Sequence, residues 1–307
     1  MPPTAARPWR RALQFCAASS ALALTMFTAS TTAASASEAT PGDRAARVTG
    51  AARDAAPSRP FTTRAAAVPV PSFGLFGIRP NGELNYHPPR GDGVFGPREL
   101  LATDYTDVKT ASNADDDGDG IADDTWLWTT DGRLSSSYGY VGGGWNKYDI
   151  VFSPGNLGGA AGYDILARDA SGVLWIFLGY SDGTVTQAYR VGGGWDAYTQ
   201  IIGKGDLTGD GKPDLVARDT SGALWLYVGT GDWHAPFEAR TKIGNGWNAY
   251  DSLVGVGDND YDGKADLIAR EPAGDLYFYK GTGKATAPFE TKRKIGTGYN
   301  IYRVMFS

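Results

Sequence analysis

The amino-acid sequence predicts an all-β fold, a five-bladed β-propeller of four-stranded antiparallel blades. Three observations lead there. A unit of roughly 50 residues repeats, each unit holds four short strands divided by Gly-containing turns, and the incomplete units at the two ends add up to one.

The repeat is marked by Val141-Gly-Gly-Gly-Trp145, Val191-Gly-Gly-Gly-Trp195, Ile243-Gly-Asn-Gly-Trp247 and Ile295-Gly-Thr-Gly-Tyr299, spaced 50, 52 and 52 residues apart. Tyr148, Tyr198, Tyr250 and Tyr302 each stand three residues further on. An Asp/Gly loop follows, then a strand ending Ala-Arg-acid (Ile165–Asp169, Leu215–Asp219, Leu267–Glu271), a Gly turn and an aromatic strand (Leu174–Phe177, Leu224–Tyr227, Leu276–Tyr279). A small sheet of this kind cannot bury both of its faces alone. Stacked around a ring, every face finds a partner and only short edges remain.

The chain ends favour a closed ring over an open solenoid. Phe73–Tyr86 matches the second and third strands of a unit without a first, and Asn300–Ser307 matches a first strand alone. Pairing the C-terminal strand with the N-terminal hairpin gives one composite blade plus units starting near residues 103, 147, 197 and 249. The unit from 103 to 140 is the most divergent, because no Gly/Trp turn precedes it.

Ahead of the repeats, residues 1–36 read as a secretory signal peptide: Arg7, Arg10 and Arg11 precede an uncharged stretch that ends Ala34-Ser35-Ala36. Ser and Thr dilute that stretch below the run of about 20 mostly apolar residues that an anchor needs, so no membrane insertion is expected. Residues 37–70, rich in Ala, Arg, Pro, Ser and Thr, read as a disordered linker, and 71–307 as the propeller. Cleavage after Ala36 removes Cys16, the single cysteine, so the secreted, extracellular chain has to hold together without a disulfide. It also leaves 26 basic residues against 34 acidic ones, a formal charge of −8, which argues against a nucleic-acid partner.

Three loops fit Asp-x-(Asp/Asn/Thr)-x-Asp-Gly-x-x-Asp. In the first, Asp115, Asp117, Asp119 and Asp123 are side-chain donors with the carbonyl of Ile121. The second offers Asp206, Thr208, Asp210 and Asp214 with the Lys212 carbonyl, and the third Asp258, Asp260, Asp262 and Asp266 with the Lys264 carbonyl. Alternating oxygens on a tight turn suit a hard cation, Ca2+ outside the cell, and crowded carboxylates repel one another without one. The ninth-position ligand with a strand behind it sets these loops apart from an EF-hand, which ends in Glu at position twelve. Two readings stay open. Asp-Gly turns serve hairpin geometry alone as well, and the first loop also reads one residue later, onto Asp116 and Asp124. The equivalent segment Asn156–Asp164 lacks the central acids, so a blade does without metal and calcium is expected to staple loops rather than catalyse.

Asp206–Leu215 and Asp258–Leu267 resemble the calcium loops of FG-GAP/VCBS repeats, the blades of integrin-type propellers. That resemblance, spanning about 103 to 294, implies calcium between the first two strands of a blade. Gly142–Tyr148 and Ile78–Leu84 are also similar to the tachylectin family, five-bladed propellers that bind N-acetylated sugars between blades, although that family lacks the aspartate loops. Carried over by position, the second resemblance implies a sugar site at Trp145, Asn146, Trp195, Asp196, Trp247, Asn248, Tyr299 and Asn300, with an aromatic face on the pyranose and a neighbouring polar group on its hydroxyls. Blade-to-blade packing explains the same Trp residues. Trp126, Trp128, Trp175 and Trp225 are expected in the core, and Trp233-His234 forms a secondary binding candidate on an exposed loop.

Catalysis finds little footing, since His87 and His234 fall in different units and neither a nucleophile elbow nor a zinc pattern is present. The chain is expected to be no enzyme but a monomeric, lectin-like module for extracellular or cell-surface glycans. The alternative is an adaptor for a cell-surface protein within a secreted complex, and a polysaccharide hydrolase ranks behind both.

Overall fold

The computed structural model describes residues 40–54, 70–160 and 162–307. Helix α1 (Pro41–Asp54) comes first, followed by β1 (Leu75–Ile78), β2 (Leu84–His87) and β3 (Glu99–Ala102). Blade 1 holds β4 (Val108–Ala114), β5 (Asp124–Thr129), β6 (Leu134–Ser136) and β7 (Gly139–Gly142). Blade 2 holds β8 (Tyr148–Gly155), β9 (Asp164–Asp169), β10 (Leu174–Phe177) and β11 (Tyr189–Gly192). Blade 3 holds β12 (Tyr198–Ile202), β13 (Leu215–Asp219), β14 (Leu224–Tyr227) and β15 (Thr241–Gly244). Blade 4 holds β16 (Ser252–Gly257), β17 (Asp266–Arg270), β18 (Leu276–Tyr279) and β19 (Arg293–Gly296). The last strand, β20 (Val304–Phe306), pairs antiparallel with β1 and completes a composite blade in the order β20-β1-β2-β3. The five sheets are four-stranded and antiparallel, and the composite blade closes the ring at the predicted place. Phe76 faces Phe306 across it, rings stacked at 5.2 Å.

The first strands β20, β4, β8, β12 and β16 stand side by side around the axis, each beside those of the flanking blades. Alternation along the second strands sends neighbouring side chains into opposite seams. Leu215 and Ala217 of β13 pack toward blade 2, and Val216 packs toward blade 4. Leu267 and Ala269 of β17 face blade 3, while Ile268 faces the composite blade. Trp126 and Trp128 are fully buried in the seam between blades 1 and 2, as expected. Trp175 and Trp225 differ from expectation: both are half-buried, and each indole N–H is held at 2.8 Å by the hairpin carboxylate, Asp169 or Asp219. Those carboxylates also collect turn N–H groups from Ser171 and Val173 or from Ser221 and Ala223, which fixes the hairpin between the second and third strands.

The Arg of the Ala-Arg-acid strand crosses the seam. Arg218 donates to the carbonyls of Trp247 (3.0 Å) and Tyr250, Arg270 to those of Tyr299 (2.9 Å) and Tyr302 (2.8 Å), and Arg168 to those of Trp195 (2.9 Å) and Tyr198 (2.5 Å). Each guanidinium thus grips the 3-10 turn that starts the next blade (Trp195–Ala197, Trp247–Ala249 or Tyr299–Ile301).

Within the run 37–70 expected as a linker, Pro41–Asp54 forms α1; residues 37–39 and 55–69 lie outside the described residues, as does the expected signal peptide 1–36. The physical reason is a gap in blade 1. The third and fourth strands of the other blades are joined by loops 88–98, 178–188, 228–240 and 280–292, which bring Phe95, Val185, Phe237 and Phe289 into the seams. In blade 1 only residues 137–138 separate β6 from β7. Helix α1 fills that place, burying Ala45, Val48 and Ala52 in the seam between the composite blade and blade 1. Thr40 and Asp43 bond reciprocally at its start, Arg44 reaches the Asp104 carbonyl and the Asp107 carboxylate (both 2.8 Å), and Thr49 meets Thr125 and Ser137 (both 2.6 Å).

Among the described residues no helix is long and apolar enough to cross a membrane.

Two substitutions test this architecture. Arg218→Ala leaves the buried carbonyls of Trp247 and Tyr250 without their charged donor and is expected to lower the unfolding free energy by about 2–4 kcal/mol. Phe306→Ala opens the closure seam and is expected to cost about 3–5 kcal/mol. Urea unfolding followed by tryptophan fluorescence reads both.

Candidate functional site

The aspartate loops join the first and second strands of blades 1, 3 and 4, and each packs against the loop between the third and fourth strands of the following blade. A Cβ on Gly209 would come within 2.7 Å of the Gly283 carbonyl, and one on Gly91 within 2.1 Å of the Tyr261 ring. The loop backbone is held by its own acids. Asp115 accepts the N–H of Gly118 and of Gly120 (both 2.9 Å), Asp206 those of Gly209 and Gly211 (both 2.6 Å), and Asp258 those of Asp262 (2.9 Å) and Gly263 (2.8 Å). The fourth loop position is left-handed throughout, with Gly118, Gly159 and Gly209 at φ 76 to 86° and Tyr261 at 61°. Among the described residues Tyr261 is the only non-glycine with positive φ.

The closing acid has a second task. Asp214 accepts from Leu207 N–H (2.9 Å) and Gly229 N–H (2.8 Å), and Asp266 from Asn259 N–H (2.8 Å) and Gly281 N–H (2.7 Å), which ties loop to sheet. Asp164 does the same in blade 2 with Gly158 (2.6 Å) and Gly179 (3.0 Å). In blade 1 an extra residue divides that work. Asp123 accepts from Asp116 N–H (2.9 Å) and Asp117 N–H (3.2 Å), while Asp124 pairs with Ala114 in the sheet and accepts from Ser137 N–H (2.6 Å). Both open readings of the first loop therefore describe part of it. Asp116 Oδ2 and Asp124 Oδ2 are left buried without a hydrogen-bond partner.

A calcium ion needs converging hard oxygens. Carboxylate oxygens of Asp115, Asp117 and Asp123 all lie within 4.8 Å of one another, and so do those of Asp258, Asp260 and Asp262. Asp119 stands exposed, accepting the Ile121 N–H at 2.8 Å, and is outside the first group. Asp206, Asp210 and Asp214 do not converge in this way, and Lys212 lies 3.9 Å from Asp210; Thr208 bonds back to Asp206. In the third loop Asp266 is likewise outside the group.

The two converging groups differ in charge. The first loop fits a cation: burial, followed by Asp119 and Asp123, pushes Asp115 up to about 7, and none of the ion pairs among the described residues reaches Asp115 or Asp117. In the third loop the Lys280 ammonium pairs with Asp260 and with Asp262 (2.8 Å), and Lys264 pairs with Asp262 at 2.9 Å. Against a burial that would raise it, these lysines hold Asp262 below the usual carboxylate range. Lys280 was missed in the sequence because it lies outside the loop motif, on the far side of two strands.

The Gly/Trp turns place the expected sugar-site residues in two environments. Trp145, Trp195 and Trp247 are buried, with ring centroids 4.6 Å from Phe177, 4.6 Å from Tyr227 and 4.8 Å from Tyr279. Their indole rings pack on neighbouring aromatics in the seams. Tyr299 is half-buried against His87 at 5.1 Å. Asn146, Asp196, Asn248 and Asn300 are exposed and lie over the hairpin glycines Gly132, Gly172, Gly222 and Gly274. The secondary candidate is a tight stack, Trp233 lying 3.6 Å from His234 and 4.4 Å from Tyr189.

The large exposed aromatics are elsewhere. Tyr138, Tyr140 and Tyr180 are 60%, 67% and 47% exposed. Tyr138 lies against the Tyr180–Gly183 turn, and the Tyr180 carbonyl and Asp116 Oδ1 both approach Gly162, so these residues border the first loop at the seam of blades 1 and 2. A cavity of about 140 Å3 on the axis is lined by all five first strands. Lys204 reaches across its loop end from the exit of β12 to Ser112 Oγ (2.9 Å) and the Asn113 carbonyl of β4, over the Phe73 ring at 4.6 Å, and burial pushes its amine down to about 7.

Residues 206–269 match the FG-GAP-like repeat family. Solved structures with a similar fold include BBS1N in complex with ARL6DN, with 13% identity over 73% of this chain and 69% of that one at a TM-score of 0.36. AofleA from Arthrobotrys oligospora shares 10% over 76% and 72% at 0.40, and the periplasmic gluconolactonase PpgL of Pseudomonas aeruginosa 11% over 74% and 70% at 0.35. A comparison with curated proteins found no match.

Asp164 gives a pH test that is independent of metal. Burial raises it to about 6, above the ordinary value of 3.8. The folded state keeps a proton there that the unfolded chain has released, so this group's contribution to stability falls as pH rises from about 4 to 6. The difference in urea midpoint between the parent protein and Asp164→Asn is expected to shrink across that window and stay flat above it.

Proposed function

We propose that this propeller, which carries an FG-GAP-like repeat, is a secreted binding module, stabilised by calcium at its first aspartate loop and directed at extracellular or cell-surface glycans. The observation that carries the calcium reading is the convergence of carboxylate oxygens of Asp115, Asp117 and Asp123 within 4.8 Å of one another. An ion there balances buried negative charge and ties the loop to the seam, in place of a disulfide.

The glycan reading moves from the Gly/Trp turns to the seam of blades 1 and 2. Exposed Tyr138 and Tyr180 offer amphipathic rings beside the first loop, and ring faces of that kind cover the apolar side of a sugar. The histidines favour binding over catalysis. His87 is buried in the composite blade against Tyr302 at 2.8 Å, with burial pushing it down to about 4, and His234 pairs with Asp232 in blade 3.

Two measurements test the proposal. Asp117→Asn is expected to lose most of the rise in Tm that calcium gives the parent protein, with the two Tm values equal in chelator; an equal calcium-induced rise in both would remove calcium from this loop. On a glycan array, Tyr180→Ala is expected to weaken binding at least about tenfold at unchanged Tm. A parent protein silent on the array but retaining one cell-surface protein in pull-down would replace the glycan with a protein ligand.

A further inference from the structure

Lys280 sets the third loop apart from the first. Its backbone is fixed on both sides: Tyr279 ends β18, and the N–H of Gly281 donates to Asp266 Oδ1 at 2.7 Å. That anchoring aims the side chain at the loop, where its ammonium pairs with Asp260 and, at 2.8 Å, with Asp262. These are two of the three carboxylates that converge there. The residues in the same place in the other blades, each preceding the N–H that bonds the closing acid, are Ser136, Leu178 and Val228, and none carries a charge. One ammonium supplies the positive charge that crowded carboxylates require, and it occupies oxygens that a metal would need.

We propose that Lys280 is a tethered counter-cation that holds the third loop closed without metal and excludes calcium from it. This rests on the calcium reading of the first loop and divides labour between the two: the first loop responds to calcium, and the third is latched whatever the calcium level. The third loop keeps the full aspartate pattern, yet its occupant is a side chain of the same blade.

Full-length protein carrying Asp117→Asn, which disables the first loop, isolates the third. Terbium luminescence sensitised by Tyr261 and competed with calcium reports binding there. Adding Lys280→Met is expected to tighten calcium at least about tenfold by removing the competing charge, whereas Lys280→Arg leaves binding weak. In chelator, with the first loop intact, Lys280→Met is expected to lower Tm relative to the parent protein, and calcium to restore it. A third loop that binds calcium equally with Lys280 or Met overturns the exclusion, and an unchanged Tm in chelator overturns the latch. If the parent protein's first loop also binds no calcium, the reading under which this inference was framed fails separately, and the Tm in chelator still decides the latch.

Discussion

A four-stranded sheet with apolar side chains on both faces is unstable in water until each face is covered, and in this chain the cover for every blade is another blade. Alternation along β13 and β17 divides each strand between two seams, so no blade owns a core of its own. Hydrophobic contact alone leaves the rotation of one blade on the next poorly specified. The guanidinium groups of Arg168, Arg218 and Arg270 specify it, because each reaches two carbonyls of the 3-10 turn that opens the next blade. The aromatic ring at the head of that turn, Trp195, Trp247 or Tyr299, packs into the seam beneath, which is why turn, Tyr and Arg recur in step.

That constraint also explains which surfaces are left for recognition. Side chains repeated in every blade are consumed by the seams, as Trp145, Trp195 and Trp247 are. What differs between blades is free to differ because the ring does not need it: the shortened connection at 137–138, the extra residue in the first aspartate loop, and Lys280. Two of these three departures fall in blade 1, where exposed tyrosines lie near the buried carboxylate oxygens Asp116 Oδ2 and Asp124 Oδ2.

The blade count and the ring closure were legible in the sequence because period and complementary ends are properties of the chain alone. The converging acids of the first and third loops were legible for the same reason. The role of the Gly/Trp turns was not, since regular spacing is what both a packing position and a repeated ligand site produce. Helix α1 was obscured by its Ala-rich composition: three small side chains suffice to fill a seam whose vacancy is visible only once blade 1 is built. A local signal did exist in Thr40 and Asp43, which form a capping box around Pro41. Lys280 was invisible because the loop it neutralises comes before β17 and its own position after β18.

The pairing of β20 with β1 places the first and last strands of the ring in one sheet. Without β20 the composite blade is a three-stranded meander whose β1 edge is unpaired. Blades 1 to 4 each draw their four strands from one contiguous stretch of chain, and the composite blade alone does not. Removal of β20 thus leaves an open horseshoe with a sticky edge at β1 rather than a slightly smaller propeller.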